Sequence, residues 1–122
     1  MTSIRHFLVL SAAACWLPVA ASAQDVVAHF RLAGDPNNVQ GCMNYDSSMT
    51  RVHTFTLKGG QAEVTSAGGI NDKMKPVRPN VYDTVFALGR VHLDVVADLG
   101  STPKSLTVTE KNAGCKWSAT AP

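Results

Sequence analysis

The chain has 122 residues, of which 45% are hydrophobic, 16% charged and 7% aromatic, and its formal net charge is +2. This length and balance exclude a multidomain protein, a disordered chain and a membrane protein with many spans. A near-neutral charge with no basic stripe also argues against nucleic-acid binding, which relies on many phosphate contacts.

Residues 1–23 are predicted to be a cleaved secretory signal peptide. Arg5 carries the only fixed charge of this segment, Phe7 to Ala14 forms a short apolar run, and Ala21-Ser22-Ala23 has the small-x-small pattern of a cleavage site. We therefore expect residues 24–122 to form a single secreted or periplasmic domain. Removing Arg5 lowers the formal net charge to +1.

Two alternatives for the first segment stay open. Ile4 to Ala23 has about the 20 residues needed to cross a bilayer, so a retained anchor is one alternative, although Pro18 counts against it. Lipid attachment at Cys15 is the other, although Ala12 is smaller than the residue usual three places before a lipidated cysteine. With cleavage after residue 23, no membrane span is expected in the mature protein.

The cysteine positions predict one disulfide bond. Cys42 and Cys115 are the only cysteines after residue 23, and exported compartments oxidise thiols. Closing a loop of roughly 74 residues destabilises the unfolded chain by about 4 kcal/mol in the chain-entropy model. Two unpaired buried thiols are the alternative, whereas a zinc site lacks the usual Cys-x-x-Cys or Cys/His pairs.

In the first half of the mature chain, the residue pattern predicts a strand followed by a hairpin. Val26 to Leu32 alternates apolar and polar residues, which is typical of a half-buried strand. Arg51 to Leu57 and Ala62 to Ser66 are rich in β-branched residues and flank Gly59-Gly60, which predicts a tight turn.

The second half is predicted to contain a long loop and then further strands. Ala67 to Asn80 contains two glycines and two prolines, so we expect a loop there, with one helical turn near Asn71 to Lys75. The strands that follow are expected at Tyr82 to Leu88, Val91 to Leu99 and Leu106 to Glu110, and in a last segment that carries Cys115 and Trp117.

These elements predict an all-β fold, since no segment shows a sustained helical period. The expected architecture is a small antiparallel β-sandwich of about seven strands, with a small β-barrel as the alternative. Phe30, Phe55, Phe86 and Trp117 are assigned to the core, with Trp117 packed near the disulfide because residues two apart share a face of a strand.

The predicted loop is the candidate binding segment. Its three cations surround an apolar middle, and its prolines limit the entropy lost on binding. The candidate residues are Lys73, Met74, Lys75, Arg78 and, after the loop, Tyr82. The alternative is a solvated connection without a ligand. Tyr45 and Tyr82 also suggest a stacking surface for sugar rings, with packing in the core as their other role.

Histidine and methionine side chains raise the possibility of a copper site. His29 and His92 lie on the polar faces of their predicted strands, so they meet if those strands are neighbours. Scattered, solvent-facing histidines are the alternative, since such residues are ordinary on half-exposed sheets. No metal or other cofactor is favoured.

Sequence motifs of common enzymes are absent from the chain. It contains no Gly-x-Ser-x-Gly, His-Glu-x-x-His or phosphate-binding loop, and His92 and Asp94 should lie about 7 Å apart along one strand, too far for a catalytic dyad. We therefore expect a non-catalytic binding module for an unidentified protein or an envelope or extracellular component. The alternatives are a periplasmic copper-binding protein and an inhibitor of a secreted enzyme.

Overall fold

The computed structural model of the protein describes residues 24–37, 42, 46–112 and 114–122. This part of the chain is all-β and antiparallel, as predicted, with one short helix α1 at Asp46–Met49. The predicted signal peptide, Cys15 and Tyr45 lie outside the described residues. The strands are β1 Val26–Arg31, β2 Ala33–Gly34, β3 Val52–Lys58, β4 Gln61–Thr65, β5 Asp72–Arg78, β6 Val81–Leu88, β7 Val91–Asp98, β8 Lys104–Glu110 and β9 Cys115–Ala121.

The strands form a nearly closed barrel, which is the second of the two predicted architectures. Their order is β1-β3-β4-β5-β6-β7-β8-β9-β2, and every neighbouring pair is antiparallel. Because Leu32 alone separates β1 from β2, the two ends of this order are continuous in the chain. The sheet therefore curls round on itself, with more strands than the seven of the expected sandwich.

Strand pairing changes at two places, which we call the two seams of the barrel. At the first seam the chain pairs with β3 through β1 and then with β9 through β2. At the second seam β5 pairs with β4 through Asp72–Met74 and with β6 from Lys75 onward. The seams are the places where the ladder of backbone hydrogen bonds is interrupted.

Alternating apolar residues fill the barrel interior. Leu93, Val95 and Ala97 of β7 are buried, whereas the residues between them are less buried, as the sequence pattern predicts. Phe30, Phe55 and Trp117 are fully buried, and Phe86 packs against the core while remaining half-exposed. The predicted core aromatics therefore do lie in or against the core.

Two-residue turns join several neighbouring strands. Gly59 and Gly60 have φ values of 58° and 79°, as the predicted tight turn between β3 and β4 requires. Pro79 and Asn80 join β5 to β6, where the fixed φ of proline precedes a positive φ of 64° at Asn80. The Pro-Asn pair is thus a hairpin turn between two strands and not part of the long loop that the sequence pattern predicts.

The prediction of a long loop over Ala67 to Asn80 is wrong, as is that of a helical turn near Asn71 to Lys75. Strand β5 occupies Asp72–Arg78, and the connection from β4 is shorter than expected. Pro76 misled the prediction because proline is rare in strands, but it is tolerated next to a β-bulge, where the ladder is already irregular. The register of β5 against β6 shifts between Pro76 and Arg78.

The predicted disulfide joins Cys42 to Cys115, with the Cα atoms 5.5 Å apart. Both cysteines are fully buried, and Trp117 follows on the same inward face of β9 as Cys115. Met49 of α1 is also buried in the core, so the segment after β2 contacts the barrel at Cys42 and again at Met49.

Helix α1 is not predicted by the sequence pattern, because four residues are too few to show a helical period. Within the described residues, no helix is long and apolar enough to cross a membrane.

Candidate binding surface

A β-bulge places three predicted binding cations on one outer face. Tyr82 packs against the core and pairs with Pro76, so alternation places the next residue of β6, Val81, and its partner Arg78 on the opposite side of their strands. Val81 is buried there, whereas Arg78 is exposed. Val77 is the extra residue of the bulge. Without it, Arg78 would point to the opposite side from Lys73 and Lys75, because neighbouring residues of a strand alternate. We call Lys73, Lys75 and Arg78 the β5 cation face.

Met74 and Tyr82 lie on the inner side of the barrel, away from the three cations. Met74 is buried, and the Tyr82 ring packs against Phe55 with 5.6 Å between the ring centroids. The structure therefore separates the predicted set into outward cations and inward packing residues, all on strands instead of a loop. A sugar-stacking surface that uses Tyr45 cannot be placed, because that residue lies outside the described ones.

The cations of this face are exposed and are not neutralised by contact. Lys73 lies opposite Glu63 on β4, and Lys75 lies opposite Asp83 on β6. None of Lys73, Lys75 or Arg78 forms an ion pair with a residue that the structure describes. An exposed ammonium or guanidinium that is not held in a pair is available to an external carboxylate.

Two shallow depressions flank Lys73. One has a volume of about 360 Å³ and lies over the outer face of β3, β4 and β5, where Thr56, Lys58 and Glu63 also line it. The other, also of about 360 Å³, lies where β5 and β6 diverge. Its lining residues are Lys73, Met74, Lys75, Asp83, Thr84 and Val85. Lys73 therefore stands between two concave areas.

Where β5 leaves β6, a side-chain hydrogen bond spans the gap. Thr84 Oγ1 donates to Asp72 Oδ2 at 2.9 Å, while the other carboxylate oxygen accepts from the Lys73 N–H, also at 2.9 Å. Asp72 and Thr84 are both half-buried. This contact holds the two strands near each other at the point where their backbone pairing has ended.

The start of β5 is anchored by a fully buried histidine of β3. His53 Nδ1 donates to the Arg51 carbonyl at 3.0 Å, and its Nε2 accepts from the Ile70 N–H at 3.1 Å. Both ring nitrogens are therefore used by the neutral tautomer. Burial lowers the pKa of His53 below its ordinary value of 6.5, and the bond to Arg51 offsets part of this effect.

Further contacts hold the same connection between β4 and β5. Arg51 Nη1 donates to the Ala67 carbonyl at 2.7 Å, and Asn71 Nδ2 donates to the Ser66 carbonyl. Gly69 lies so close to His53 that an added Cβ would be 2.6 Å from Nε2. The connection is fixed against β3, which keeps the first residues of β5 on the β4 side of the second seam.

The two histidines of the copper hypothesis do not lie on neighbouring strands. His29 is on β1 and His92 is on β7, and β3, β4, β5 and β6 separate these strands in the sheet order. His29 Nδ1 is 3.1 Å from Thr54 Oγ1. In the described part of the chain, no group of three or more His, Cys, Asp or Glu residues is arranged to hold a metal ion.

Compared with known proteins, the chain matches no family model, no curated protein and no solved structure. The function therefore has to be inferred from the residues of this chain.

The sequence pattern does not predict that β5 and β6 diverge. The alternation through Asp72-Lys73-Met74-Lys75 was a signal for a strand here, but the switch of partners depends on distant residues such as His53.

Proposed function

We propose that the protein is an exported, non-catalytic binding module that recognises an acidic protein segment through the β5 cation face. The observation that supports this proposal is the bulge at Val77, which turns Arg78 to the same side as Lys73 and Lys75. Bulges often re-aim a side chain at a functional position. The result is three exposed cations, of which Lys73 lines both concave areas and Lys75 lines one.

Export is part of the proposal. The small-x-small ending of residues 1–23 is typical of signal peptides, and the disulfide between Cys42 and Cys115 is typical of proteins in oxidising compartments. The partner is therefore sought among envelope or extracellular proteins.

The test removes the three charges and compares the result with a matched control. The variant carries Lys73→Gln, Lys75→Gln and Arg78→Gln, and the control carries Arg31→Gln, Arg90→Gln and Lys111→Gln. Each variant loses the same formal charge from exposed positions. Both proteins, and the unaltered one, serve as bait in a pull-down from the native envelope fraction.

We expect the control to retain an acidic partner that the β5 variant loses, and we expect the retained binding to weaken as salt is added. Circular dichroism of both variants checks that the fold is intact. A partner retained equally by the β5 variant would refute the role of the cation face. Reproducible turnover of a substrate by the purified protein would refute the non-catalytic part of the proposal.

A further inference from the structure

Strand β6 has a long free edge next to the β5 cation face. All eight residues of β6 pair with β7 on one side. On the other side the pairing with β5 ends at Asp83, and the described residues provide no strand partner for Thr84–Leu88. We call this side of Thr84–Leu88 the β6 edge. Its peptide groups are positioned to pair with another extended chain.

The β6 edge lacks the features that protect most free edges. Natural edge strands usually carry a charge, a proline or a bulge that prevents pairing. The segment Thr84–Leu88 contains neither a charged residue nor a proline. It also contains no bulge, since its register with β7 is regular throughout. Val85 is 59% exposed, so this segment presents an apolar side chain on the outer face of β6.

The outer face of β1, which lies beside β9 at the first seam, is different in this respect. At the first seam, β1 carries Val27, His29 and Arg31 on its outer face, and all three are exposed. A charged edge resists pairing with another chain. Arg31 thus gives the outer face of β1 a charge that Thr84–Leu88 lacks.

The chemistry around the β6 edge favours an acidic occupant over a second copy of this chain. Lys73 and Lys75 line the depression that opens onto Thr84 and Val85, and Asp83 is the third charged residue of its lining, so cations outnumber carboxylates there. A second copy pairing through its own β6 edge would bring uncharged residues and no carboxylate from that segment to these ammonium groups. An extended segment with alternating acidic residues would pair through its backbone and place its carboxylates on the outer face.

We infer that an extended acidic segment of the partner adds to the β6 edge as an extra strand. This inference rests on the proposed function, because the β5 cation face supplies the charge selectivity. Backbone hydrogen bonds from Thr84–Leu88 supply the attachment. The added strand fills the side of β6 along Thr84–Leu88, where pairing with β5 has ended.

Amide hydrogen exchange by NMR tests the inference on the full protein. The probe is a short capped peptide of alternating glutamate and valine. One control peptide alternates lysine and valine, and the other alternates glutamate and proline, which keeps the charge but removes half of the backbone donors. At a probe concentration about ten times its Kd, exchange of edge-facing amides within Thr84–Leu88 should slow by about tenfold. The two control peptides should leave these amides unchanged.

Other results would overturn the inference in distinguishable ways. Chemical-shift changes at the β5 cation face without slower exchange at Thr84–Leu88 would refute strand addition while supporting the proposed function. Equal slowing by the lysine–valine peptide would refute the acidic partner. Slowing that grows with protein concentration and needs no peptide would show that the edge pairs with a second copy. No response to any peptide would refute both proposals.

A pair of single substitutions provides a second readout. Val85 and Val27 are both exposed, at 59% and 65%, and both lie on the outer face, but Val27 is on β1, far from β6 in the sheet order. Val85→Glu should weaken binding of the glutamate–valine peptide about tenfold, because like charges on neighbouring strands repel. Val27→Glu should leave it unchanged, and equal losses from the two substitutions would contradict binding at the β6 edge.

Discussion

The two seams of the barrel are closed by different interactions, and this difference separates the stable part of the molecule from the proposed binding part. At the first seam, the chain continues from β1 into β2, the Asp35 N–H donates to the Lys116 carbonyl at 2.8 Å, and a disulfide ties Cys42 to the start of β9. At the second seam the chain is likewise continuous through β5, and the hydrogen bond between Thr84 and Asp72 spans the gap between the start of β5 and β6.

The first seam therefore has a disulfide and a further backbone hydrogen bond, whereas the start of β5 is held to β6 by a bond between two half-buried side chains, which costs less to break. We therefore expect the first seam to contribute more stability, and the second seam contains the edge at which we propose that the partner binds. Low local stability is a common property of ligand-binding regions. Substitutions at the two seams, and at the anchor of β5, should separate these contributions.

The largest expected effect comes from breaking the first seam with Cys42→Ser and Cys115→Ser. The bond closes a loop with a sequence separation of 73 residues. In the chain-entropy model, its removal should lower the free energy of unfolding by about 4 kcal/mol. Denaturant titration measures this change, with the unaltered protein under reducing conditions as a control. A loss below about 1 kcal/mol would mean that the disulfide contributes little to closing the barrel.

The second prediction concerns the anchor that holds β5 on the β4 side. Gly69→Ala places a Cβ 2.6 Å from His53 Nε2 and 3.0 Å from the Ser48 carbonyl. We expect this overlap to lower the free energy of unfolding by about 1 to 3 kcal/mol. Gly100→Ala is the control, since its nearest neighbour atom is 3.3 Å away and Gly100 has no positive φ. Similar losses in both variants would show that the contact with His53 is not the cause.

Acid should weaken the same anchor through His53. A folded-state pKa below 6.5 means that the unfolded chain binds the proton more readily, so the His53 contribution is present above about pH 6.5 and is lost as the pH falls below it. Protonation also converts Nε2 from the acceptor of the Ile70 N–H into a donor. The slope should be at most about 1.4 kcal/mol per pH unit.

Denaturant titrations at several pH values between roughly 6.5 and 5 measure the slope of the free energy of unfolding against pH. Most carboxylates are still ionised in this range. His53→Gln should flatten it, because the amide does not titrate. His29→Gln, at an exposed position, should leave the slope unchanged. If His53→Gln kept the full slope, the pH dependence would belong to another group.

The smallest expected effect comes from Thr84→Val, which removes the bond to Asp72 while keeping the shape of the side chain. The free energy of unfolding should fall by about 0.5 to 1.5 kcal/mol, as for a single hydrogen bond. Amide exchange at Thr84–Leu88 should rise more than exchange in β7. Thr107→Val is the control, because Thr107 is a half-buried residue of the well-paired β8. Uniform changes across the barrel would contradict a local opening at the second seam.

Local patterns predicted much of the fold but only part of the candidate site. The alternation of Val91 to Leu99, the Gly59-Gly60 turn and the Cys42–Cys115 pair each gave a correct prediction, because each depends on residues close in sequence or on a single possible pairing. The cations were identified as candidates, but their segment was assigned to a loop because Pro76 and Pro79 usually interrupt strands.

The sequence by itself determined that alternating strands bury one face, that the domain carries one disulfide, and that three cations lie close together along the chain. These properties depend on side-chain period and composition, which act locally. The tertiary structure decided that the strands close into a barrel, that the bulge at Val77 turns Arg78 outward, and that β5 leaves β6 to pair with β4. Those outcomes depend on pairing between distant segments, where contacts such as that between His53 and Ile70 select one register among several.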